Sequence, residues 1–273
     1  MTKIIQISDP HIVAEGKLAY GQVDTSSALK QCVAQINKIL PEIGPVDLII
    51  VTGDLTDFGT SDEYKLFREI IEELNIPYRA IPGNHDNKSV MQKCFEDTDW
   101  MPKIGPINWE IDFRDLKVIA LDTSIIGTAH GNLETASLNF LKSALNSAQE
   151  KPVIVATHHP PVITGIEKMD IQNLRNSDEL KEVLSAYKGE LKLICGHLHR
   201  NIVTKFGNVI CQIAPGVSHA VTIDLRKGSP NCLTKEPGSF LLHEIRGGIL
   251  SHQIPVDDFD GPYLFYPENE IVR

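Results

Sequence analysis

The chain is short of the features that mark secreted, membrane-bound or disulfide-stabilised proteins. Its five cysteines are odd in number, scattered and without a C-x-x-C pair, so we expect reduced thiols in a reducing compartment. No apolar run approaches the roughly 20 residues that a membrane-spanning helix needs. The first residues, Met1-Thr2-Lys3, lead directly into a strand-like run and do not resemble a signal peptide. We therefore expect a cytoplasmic protein that makes no contact with a membrane.

Basic charge is scarce as well. The 26 lysines and arginines are outnumbered by 36 acids, which gives a net charge of −10. This balance argues against binding to a nucleic-acid polymer, because such proteins need a basic face. Small phosphate substrates stay open, since bound divalent cations can reverse the local field.

The spacing of apolar residues predicts an α/β fold. Strands alternate with helices in the first part, which is typical of parallel pairing, and a later meander of strands is typical of antiparallel pairing. A sandwich of two mixed sheets with helices outside satisfies both patterns. The predicted strands cover residues 3–7, 47–51, 78–81, 108–113, 117–121, 153–156, 191–195, 202–206, 209–213, 221–225, 240–245 and 249–253, and the predicted helices about 25–40, 60–74, 87–95, 135–148 and 177–186.

Local residue patterns set several of these boundaries. Asp24 is expected to cap the first helix, which should end at Leu40 because Pro41 follows. Thr60 and Glu63 form a candidate capping box for the second helix.

Six of the ten histidines lie in short blocks that also carry acids and an amide. Each block directly follows an apolar run, and imidazole, carboxylate and amide oxygen together suit a metal site. In extended backbone, residues two apart point the same way, so each pair within a block should reach one centre. The blocks are Asp9-Pro10-His11, Gly53-Asp54-Leu55-Thr56-Asp57, Gly83-Asn84-His85-Asp86, His158-His159-Pro160-Pro161 and Gly196-His197-Leu198-His199.

Each block alone has an ordinary interpretation as a turn, a loop or a pair of core histidines. Their order after five predicted strands favours a shared site, because ligands gather beyond the carboxyl ends of strands in α/β sheets. Two divalent ions need more ligands than one block supplies, and Asp54 is the natural bridge because Gly53 allows a tight turn.

These blocks resemble those of the calcineurin-like metallophosphoesterase superfamily. The chain is most similar to its class III cyclic-nucleotide phosphodiesterases and to the bacterial glycerophosphodiesterases of that group. The resemblance covers nearly the whole chain and includes Tyr20-Gly21, Met169-Asp170, Pro215-Gly216-Val217-Ser218-His219 and Gly261-Pro262-Tyr263-Leu264. It implies a four-layer α/β/β/α sandwich, with a catalytic core over residues 1–215. Residues 216–273 would add strands that complete the sandwich and a small cap or oligomerisation element.

The resemblance also implies a ligand set. One metal would be held by Asp9, His11, Asp54 and His199, and the other by Asp54, Asn84, His158 and His197. Asp54, Asn84 and His85 would be catalytic, with His85 beside the phosphate as charge stabiliser or proton donor. His159 is expected to support the site or the fold, and Asp57 to orient a ligand by a hydrogen bond. The metals stay open among Mn, Fe, Zn and Co.

The implied reaction is attack on a small phosphodiester by a hydroxide that bridges the metals. The substrate is a 3′,5′-cyclic nucleotide such as cAMP, a glycerophosphodiester, or both. A phosphomonoesterase and a catalytically silent scaffold are the alternatives. Phe58-Gly59 and Asp86 replace the Arg-Gly and Glu of the protein phosphatases, which counts against that activity. Residues 160–176 and the tail with Tyr263, Phe265 and Tyr266 are candidate specificity elements, and we expect a homodimer or larger homo-oligomer.

Overall fold

The computed structural model describes residues 1–266 and contains two mixed β-sheets flanked by helices. Most of the strands predicted from apolar runs in the sequence coincide with observed strands to within one or two residues. The strands are β1 (Lys3–Ile7), β2 (Leu48–Thr52), β3 (Tyr78–Ile81), β4 (Trp109–Asp112), β5 (Lys117–Leu121), β6 (Val153–Thr157), β7 (Leu191–Cys195), β8 (Ile202–Phe206), β9 (Val209–Ile213), β10 (Ala220–Val221), β11 (Leu233–Thr234), β12 (Ser239–Ile245) and β13 (Ile249–Pro255).

The first sheet has the order β13-β12-β1-β2-β3 and the second β4-β5-β6-β7-β9-β8, while β10 and β11 form a separate pair. The strands β1, β2 and β3 run parallel, as do β5, β6, β7 and β9. Strands β12 and β13 join the first sheet by antiparallel pairing to β1. Ile4 and Ile50 of the first sheet share one buried cluster with Ile154 and Ile194 of the second, so the main core lies between the sheets.

The helices are α1 (Thr25–Ile43), α2 (Ser61–Ile71), α3 (Lys88–Cys94), α4 (Thr135–Ala148), α5 (Glu167–Asp170) and α6 (Ser177–Ala186). Leu29 of α1 and Phe67 of α2 pack into the main core, whereas Leu141 of α4 and Leu180 of α6 cover the other face of the second sheet. Asp24 caps α1 by accepting from the Ser27 amide, and Thr60 and Glu63 form the predicted capping box. Within the described part of the chain, no helix has the length and apolar character to cross a membrane.

Two sequence predictions about element ends are wrong. Helix α1 continues through Pro41 to Ile43, because Ile43 packs against the core and its carbonyl accepts from the Lys3 ammonium. The predicted strand 221–225 ends at Val221. Ile223 and Leu225 are 60% and 63% exposed and have no partner strand, so their alternation with polar residues does not mark a sheet face. The strand β11 and the short helix α5 were not predicted.

Candidate metal centre

The loops that follow five parallel strands meet at one end of the sandwich. Asp9 follows β1, Asp54 follows β2, Asn84 follows β3, His158 follows β6 and His197 follows β7. Backbone hydrogen bonds join these loops directly: the Asp9 amide donates to the Gly53 carbonyl at 3.2 Å, and the His11 amide to the Asp54 carbonyl at 2.9 Å. Parallel order brings the loops to one edge, and these bonds hold them in register.

The backbone of the ligand loops is left-handed rather than extended. The φ angles are 54° at Asp9, 47° at His11, 50° at Asp54, 75° at His197 and 51° at His199. Such values are uncommon outside glycine, and they concentrate at functional sites. The extended geometry assumed for residues two apart is therefore wrong, and His197 and His199 turn toward different neighbours.

A first group of donor atoms gathers around His11 and His199. The two Nε2 atoms lie 3.2 Å apart, and His199 Nε2 is 3.4 Å from Asp9 Oδ1. His11 Nε2 is also 3.5 Å from Asp54 Oδ2. All four side chains are buried. The sequence-predicted ligands of one metal thus lie together.

A second group gathers around His158 and shares the same carboxylate. His158 Nε2 lies 3.2 Å from Asn84 Oδ1, 3.3 Å from His197 Nδ1 and 3.4 Å from Asp54 Oδ2. These are the predicted ligands of the other metal. Asp54 Oδ2 belongs to both groups, which is where the sequence predicts a bridging carboxylate.

The spacing and chemistry of these atoms fit two divalent ions. Ligands at about 2.1 Å from a tetrahedral ion lie about 3.4 Å from one another, which matches the separations here. Imidazole nitrogens and carboxylate oxygens are ligands that divalent transition metals accept, and a bound ion would take the place of a proton on the rings that face it. Among the described residues, three buried ring nitrogens at the site also lack a hydrogen-bond partner: His159 Nε2, His197 Nε2 and His199 Nδ1.

Hydrogen bonds behind the site decide which ring nitrogen faces inward. His158 donates from Nδ1 to the Thr52 carbonyl at 2.8 Å, which directs Nε2 at the site. His11 Nδ1 lies 3.1 Å from Asp57 Oδ1 and is oriented in the same manner. Asp57 is thereby placed to orient His11, as expected from the sequence.

His85 sits at the open side of the site. Its backbone amide donates to Asp54 Oδ1 at 2.9 Å, and its Nδ1 lies 3.2 Å from Asp57 Oδ1. Burial disfavours its charged form, but the Asp54 and Asp57 carboxylates outweigh this effect and raise the pKa of His85 to about 10. From the charges of the protein alone, His85 is a cation at neutral pH.

The electrostatics of Asp54 follow the same balance. Burial would raise the pKa of its carboxyl group, yet His158, His85 and His11 hold that pKa well below its usual range. Asp54 is therefore ionised.

His159 and Asp86 support the site from outside. His159 is fully buried, its Nδ1 lies 2.7 Å from Thr123 Oγ1, and its ring packs against those of His158 and His197. The Asp86 carboxylate accepts from the amides of Gly83 and Leu55 at 2.9 and 3.1 Å. It fixes the loops that carry Asn84 and Asp54 relative to each other.

The pocket above the donor atoms has a volume of about 280 Å³. His219 packs its ring on that of His199 at 4.5 Å, and Tyr20 OH lies 3.4 Å from His11 Nδ1. Gln172 lies in the segment 160–176, which the sequence marks as a candidate specificity element. The sequence gives no role to three other lining residues, because they lie in irregular or weakly patterned segments: Asn231, Cys232 and Leu233. Their distance in sequence from the histidine blocks left no pattern that could have identified them.

Known proteins resemble this chain in both sequence and fold. The sequence profile described as Calcineurin-like phosphoesterase matches residues 2–201. A probable glycerophosphodiester phosphodiesterase, GpdQ, of Arcobacter nitrofigilis is 41% identical over 268 residues, or 97% of each chain. A 3′,5′-cyclic adenosine monophosphate phosphodiesterase, CpdA, of Pseudomonas aeruginosa is 34% identical over 79% of each chain. The crystal structure of a dimetal phosphatase from Danio rerio superposes with a TM-score of 0.67 at 14% identity, covering 94% of this chain and 99% of the other.

Proposed function

Because the chain belongs to the calcineurin-like phosphoesterase family, we propose that it hydrolyses small phosphodiesters with the help of two divalent metal ions. The observation that carries this proposal is the pair of donor groups that share Asp54 Oδ2 and open into one pocket. Asp9, His11, Asp54 and His199 would hold one ion, and Asp54, Asn84, His158 and His197 the other. Bound ions would neutralise the charge of the diester and lower the pKa of a coordinated water, so that a nucleophile exists near neutral pH.

The protein contributes orientation and a proton. Asn84 offers a neutral oxygen, so it adds a ligand without adding negative charge to a site that must accept a phosphate. His85 faces the pocket, where its ring would bind a phosphoryl oxygen and, when protonated, give its proton to the leaving alkoxide, and the Asp57 carboxylate beside Nδ1 favours that protonated form. No cysteine or serine nucleophile is required by this scheme.

Among small diesters, we propose glycerophosphodiesters as the first candidate substrates. The relative named for that activity matches this chain over nearly its entire length, including the segment that carries Asn231, Cys232 and Leu233 at the pocket. The volume of about 280 Å³ lies near the lower end of the roughly 300–1,000 Å³ typical of ligand sites, which suits a small ester. Cyclic AMP is the second candidate, because relatives named for its hydrolysis match 79% and 73% of this chain.

Steady-state hydrolysis by metal-reconstituted protein tests the proposal. The substrates are glycerophosphoethanolamine, 3′,5′-cAMP and a chromogenic bis-aryl phosphate, each with an EDTA control. We expect EDTA-sensitive turnover with the highest kcat/KM for glycerophosphoethanolamine. A higher kcat/KM for cAMP would make the cyclic nucleotide the preferred substrate. If the protein hydrolyses none of the three with both metals bound, it is better described as a catalytically silent scaffold.

The identity of the metals, a cytoplasmic location and a homo-oligomeric state stay predictions from the sequence. The boundary between a catalytic core over residues 1–215 and a C-terminal part over residues 216–273 also stays a prediction. Residues 267–273 lie outside the described residues.

A further inference from the structure

A row of polar side chains crosses the otherwise apolar core between the two sheets, and all of them except the half-buried Ser251 are buried. Seven residues take part. Five lie on strands β1, β2, β7, β12 and β13, and the other two, Ser8 and Asp9, lie on the loop after β1, with Asp9 at the end of the row. We call the following set the inter-sheet column: Ser8, Thr52, Gln6, His243, Ser251 and Lys192, leading to Asp9. None of these residues except Asp9 was given a role by the sequence.

The upper half of the column leads from Asp9 to Gln6. The Ser8 hydroxyl donates to Asp9 Oδ2 at 2.5 Å, and the Thr52 hydroxyl donates to Ser8 Oγ at 2.7 Å. Gln6 Nε2 lies 3.0 Å from Thr52 Oγ1 and 3.0 Å from the Cys195 carbonyl oxygen. Gln6 is completely buried.

The lower half leads from Gln6 to a buried ammonium group. His243 Nε2 lies 3.1 Å from Gln6 Oε1, and His243 Nδ1 lies 2.6 Å from Ser251 Oγ. The Lys192 ammonium donates to the same Ser251 oxygen. Burial lowers the pKa of Lys192 to about 8, with Glu190 opposing the shift, so Lys192 is still charged at neutral pH.

The direction of every hydrogen bond in the column follows from its two ends. The Cys195 carbonyl can only accept, so the Gln6 atom facing it is the amide nitrogen, and Gln6 Oε1 faces His243. His243 must then carry its proton on Nε2, and its Nδ1 must accept from Ser251. Because an ammonium has no acceptor, Ser251 receives from Lys192. All donors therefore point from the Lys192 cation toward the Asp9 carboxylate.

We propose that the inter-sheet column orients Asp9 as a metal ligand, with Gln6, His243, Ser251 and Lys192 as positioning residues that act through Ser8. The inference rests on the proposed function, since it takes Asp9 to bind metal. The Ser8 hydroxyl donates to Asp9 Oδ2, the His197 amide donates to both carboxylate oxygens at 3.0 and 3.1 Å, and Oδ1 lies 3.4 Å from His199 Nε2. Ser8 is thus the side-chain donor that distinguishes Oδ2 from Oδ1. The Ser8 oxygen accepts a hydrogen bond from Thr52, and its own single hydrogen is donated to Asp9.

A one-way column should be stronger than its separate links. Hydrogen bonds in series polarise one another where the surroundings exclude water, and this series begins at the Lys192 ammonium. The column also fixes the end of β7 through the Cys195 carbonyl, two residues before His197. Cutting it anywhere should loosen Asp9, with an effect that decreases with distance from the carboxylate.

The test measures cobalt(II) affinity and histidine tautomers rather than turnover alone. Metal-stripped full-length protein is titrated with cobalt(II) and followed by visible absorption, and 15N-labelled protein gives the protonated nitrogen of His243 by NMR. Gln6→Met cuts the middle of the column with little change in size. Ser251→Ala and Lys192→Met remove one oxygen and one charge far from the site, so they test the same idea without threatening the fold.

Lys117→Met is the matched control. Lys117 is 2% exposed on β5 of the same sheet as Lys192, and its ammonium contacts Ser147 Oγ at 2.6 Å and Glu110 Oε2 at 3.2 Å. Like Lys192, it is a buried lysine whose ammonium contacts a serine hydroxyl. Among the described residues, however, it takes no part in the inter-sheet column. Lys192→Arg keeps the cation and should keep wild-type affinity.

We expect Gln6→Met to weaken cobalt(II) binding by about tenfold, the lower end of the roughly 10–100-fold range for lost outer partners of ligands. Ser251→Ala and Lys192→Met should weaken it by about threefold, and Lys117→Met should leave it unchanged. His243 should carry its proton on Nε2. Wild-type affinity in folded Gln6→Met and Ser251→Ala, or a proton on His243 Nδ1, would overturn the inference. A wild-type protein that binds no cobalt(II) would instead overturn the proposed function, and the column's role with it.

Discussion

At the scale of single residues, the site depends on which nitrogen each histidine leaves free. Backbone and carboxylate acceptors take the Nδ1 protons of His158 and His11, so both rings face the site through Nε2. The sequence located these histidines but could not assign their tautomers, because the acceptors Thr52 and Asp57 are identified only by their positions in space. The function of each ring is therefore set by neighbours that are distant in the sequence.

The substitution His199→Ala should abolish turnover while the fold survives. The side chain supplies Nε2 to the group formed with His11 and Asp9, and its loss should lower kcat/KM by at least about 100-fold because one ion loses a ligand. Circular dichroism and kinetics with the bis-aryl phosphate measure the two effects. His252→Ala, at an exposed histidine on β13, is the control and should be silent. Metal-dependent activity retained by His199→Ala contradicts the ligand assignment.

A second residue-scale prediction concerns acid stability. Burial and the Lys192 ammonium lower the pKa of His243 to about 3 from 6.5, so folding favours the neutral ring. The unfolded chain binds one more proton between these two values, and the stabilisation present above about pH 6.5 is lost as the pH falls toward 3. Lowering the pH from 7.5 to 5.5 should therefore cost wild type about 1 kcal/mol more than His243→Gln, which has no proton to gain. Urea unfolding at both pH values measures the difference. Equal losses in the two proteins would show that His243 is not protonated on unfolding.

At the scale of elements, the strands and helices follow from the sequence and the turns at the site do not. Alternating apolar runs and the capping patterns at Asp24 and Thr60 are local, so the sequence alone predicts them. The left-handed loops lie where strand ends from two sheets converge. A short stretch of sequence carries no information about this convergence. Helix α1 passes Pro41 for a similar reason, since the packing of Ile43 outweighs the local preference. Gln6 and His243, 237 positions apart, show the same limit for side-chain contacts.

The capping box of α2 gives a prediction at this scale. Thr60 Oγ1 accepts from the Glu63 amide at 3.4 Å, and Glu63 Oε2 accepts from the Thr60 amide at 3.0 Å. Thr60→Ala should lower the free energy of unfolding by about 1 kcal/mol through the loss of this cap. Ser61→Ala removes a hydroxyl from the same exposed turn and should change it by a few tenths at most. Chemical denaturation measures both, and equal effects would mean that the cap does not stabilise the helix.

At the scale of the whole molecule, each sheet brings part of the ligand set. The loops of the first sheet supply Asp9, His11, Asp54 and Asn84, and those of the second supply His158, His197 and His199. A metal ion bound at either group therefore joins the two sheets, as a cross-link would. Binding to the folded state alone raises stability by mass action.

Removing the metals should accordingly lower the thermal stability of the protein. Dialysis against EDTA should reduce Tm by several degrees, because ions at about 100 times Kd contribute about 2.7 kcal/mol each. Differential scanning calorimetry before and after adding back Mn²⁺ or Zn²⁺ gives the shift. Asp54→Asn is the control, since it weakens both groups and should show a smaller response to added metal. A Tm indifferent to metal would mean that the ions do not bridge the sheets.

The exposed tail predicts self-association. Tyr263, Leu264 and Phe265 are 77%, 72% and 98% exposed, and a run of large apolar side chains in water is typical of a contact surface. Light scattering after gel filtration should give a dimer or larger assembly, and truncation after residue 256 should reduce its mass. A monomer at micromolar concentration would contradict the expectation.

The left-handed backbone at the ligands limits how this protein can change by single mutations. At Asp9 and Asp54 the backbone favours Asp, Asn or Gly, whereas the chemistry demands a carboxylate of this length. Asn keeps the backbone and loses the charge, and Glu keeps the charge but strains the turn. Few single substitutions satisfy both demands, so new specificities would have to arise in the pocket wall, at positions such as Gln172 and Asn231, while the ligand loops stay as they are.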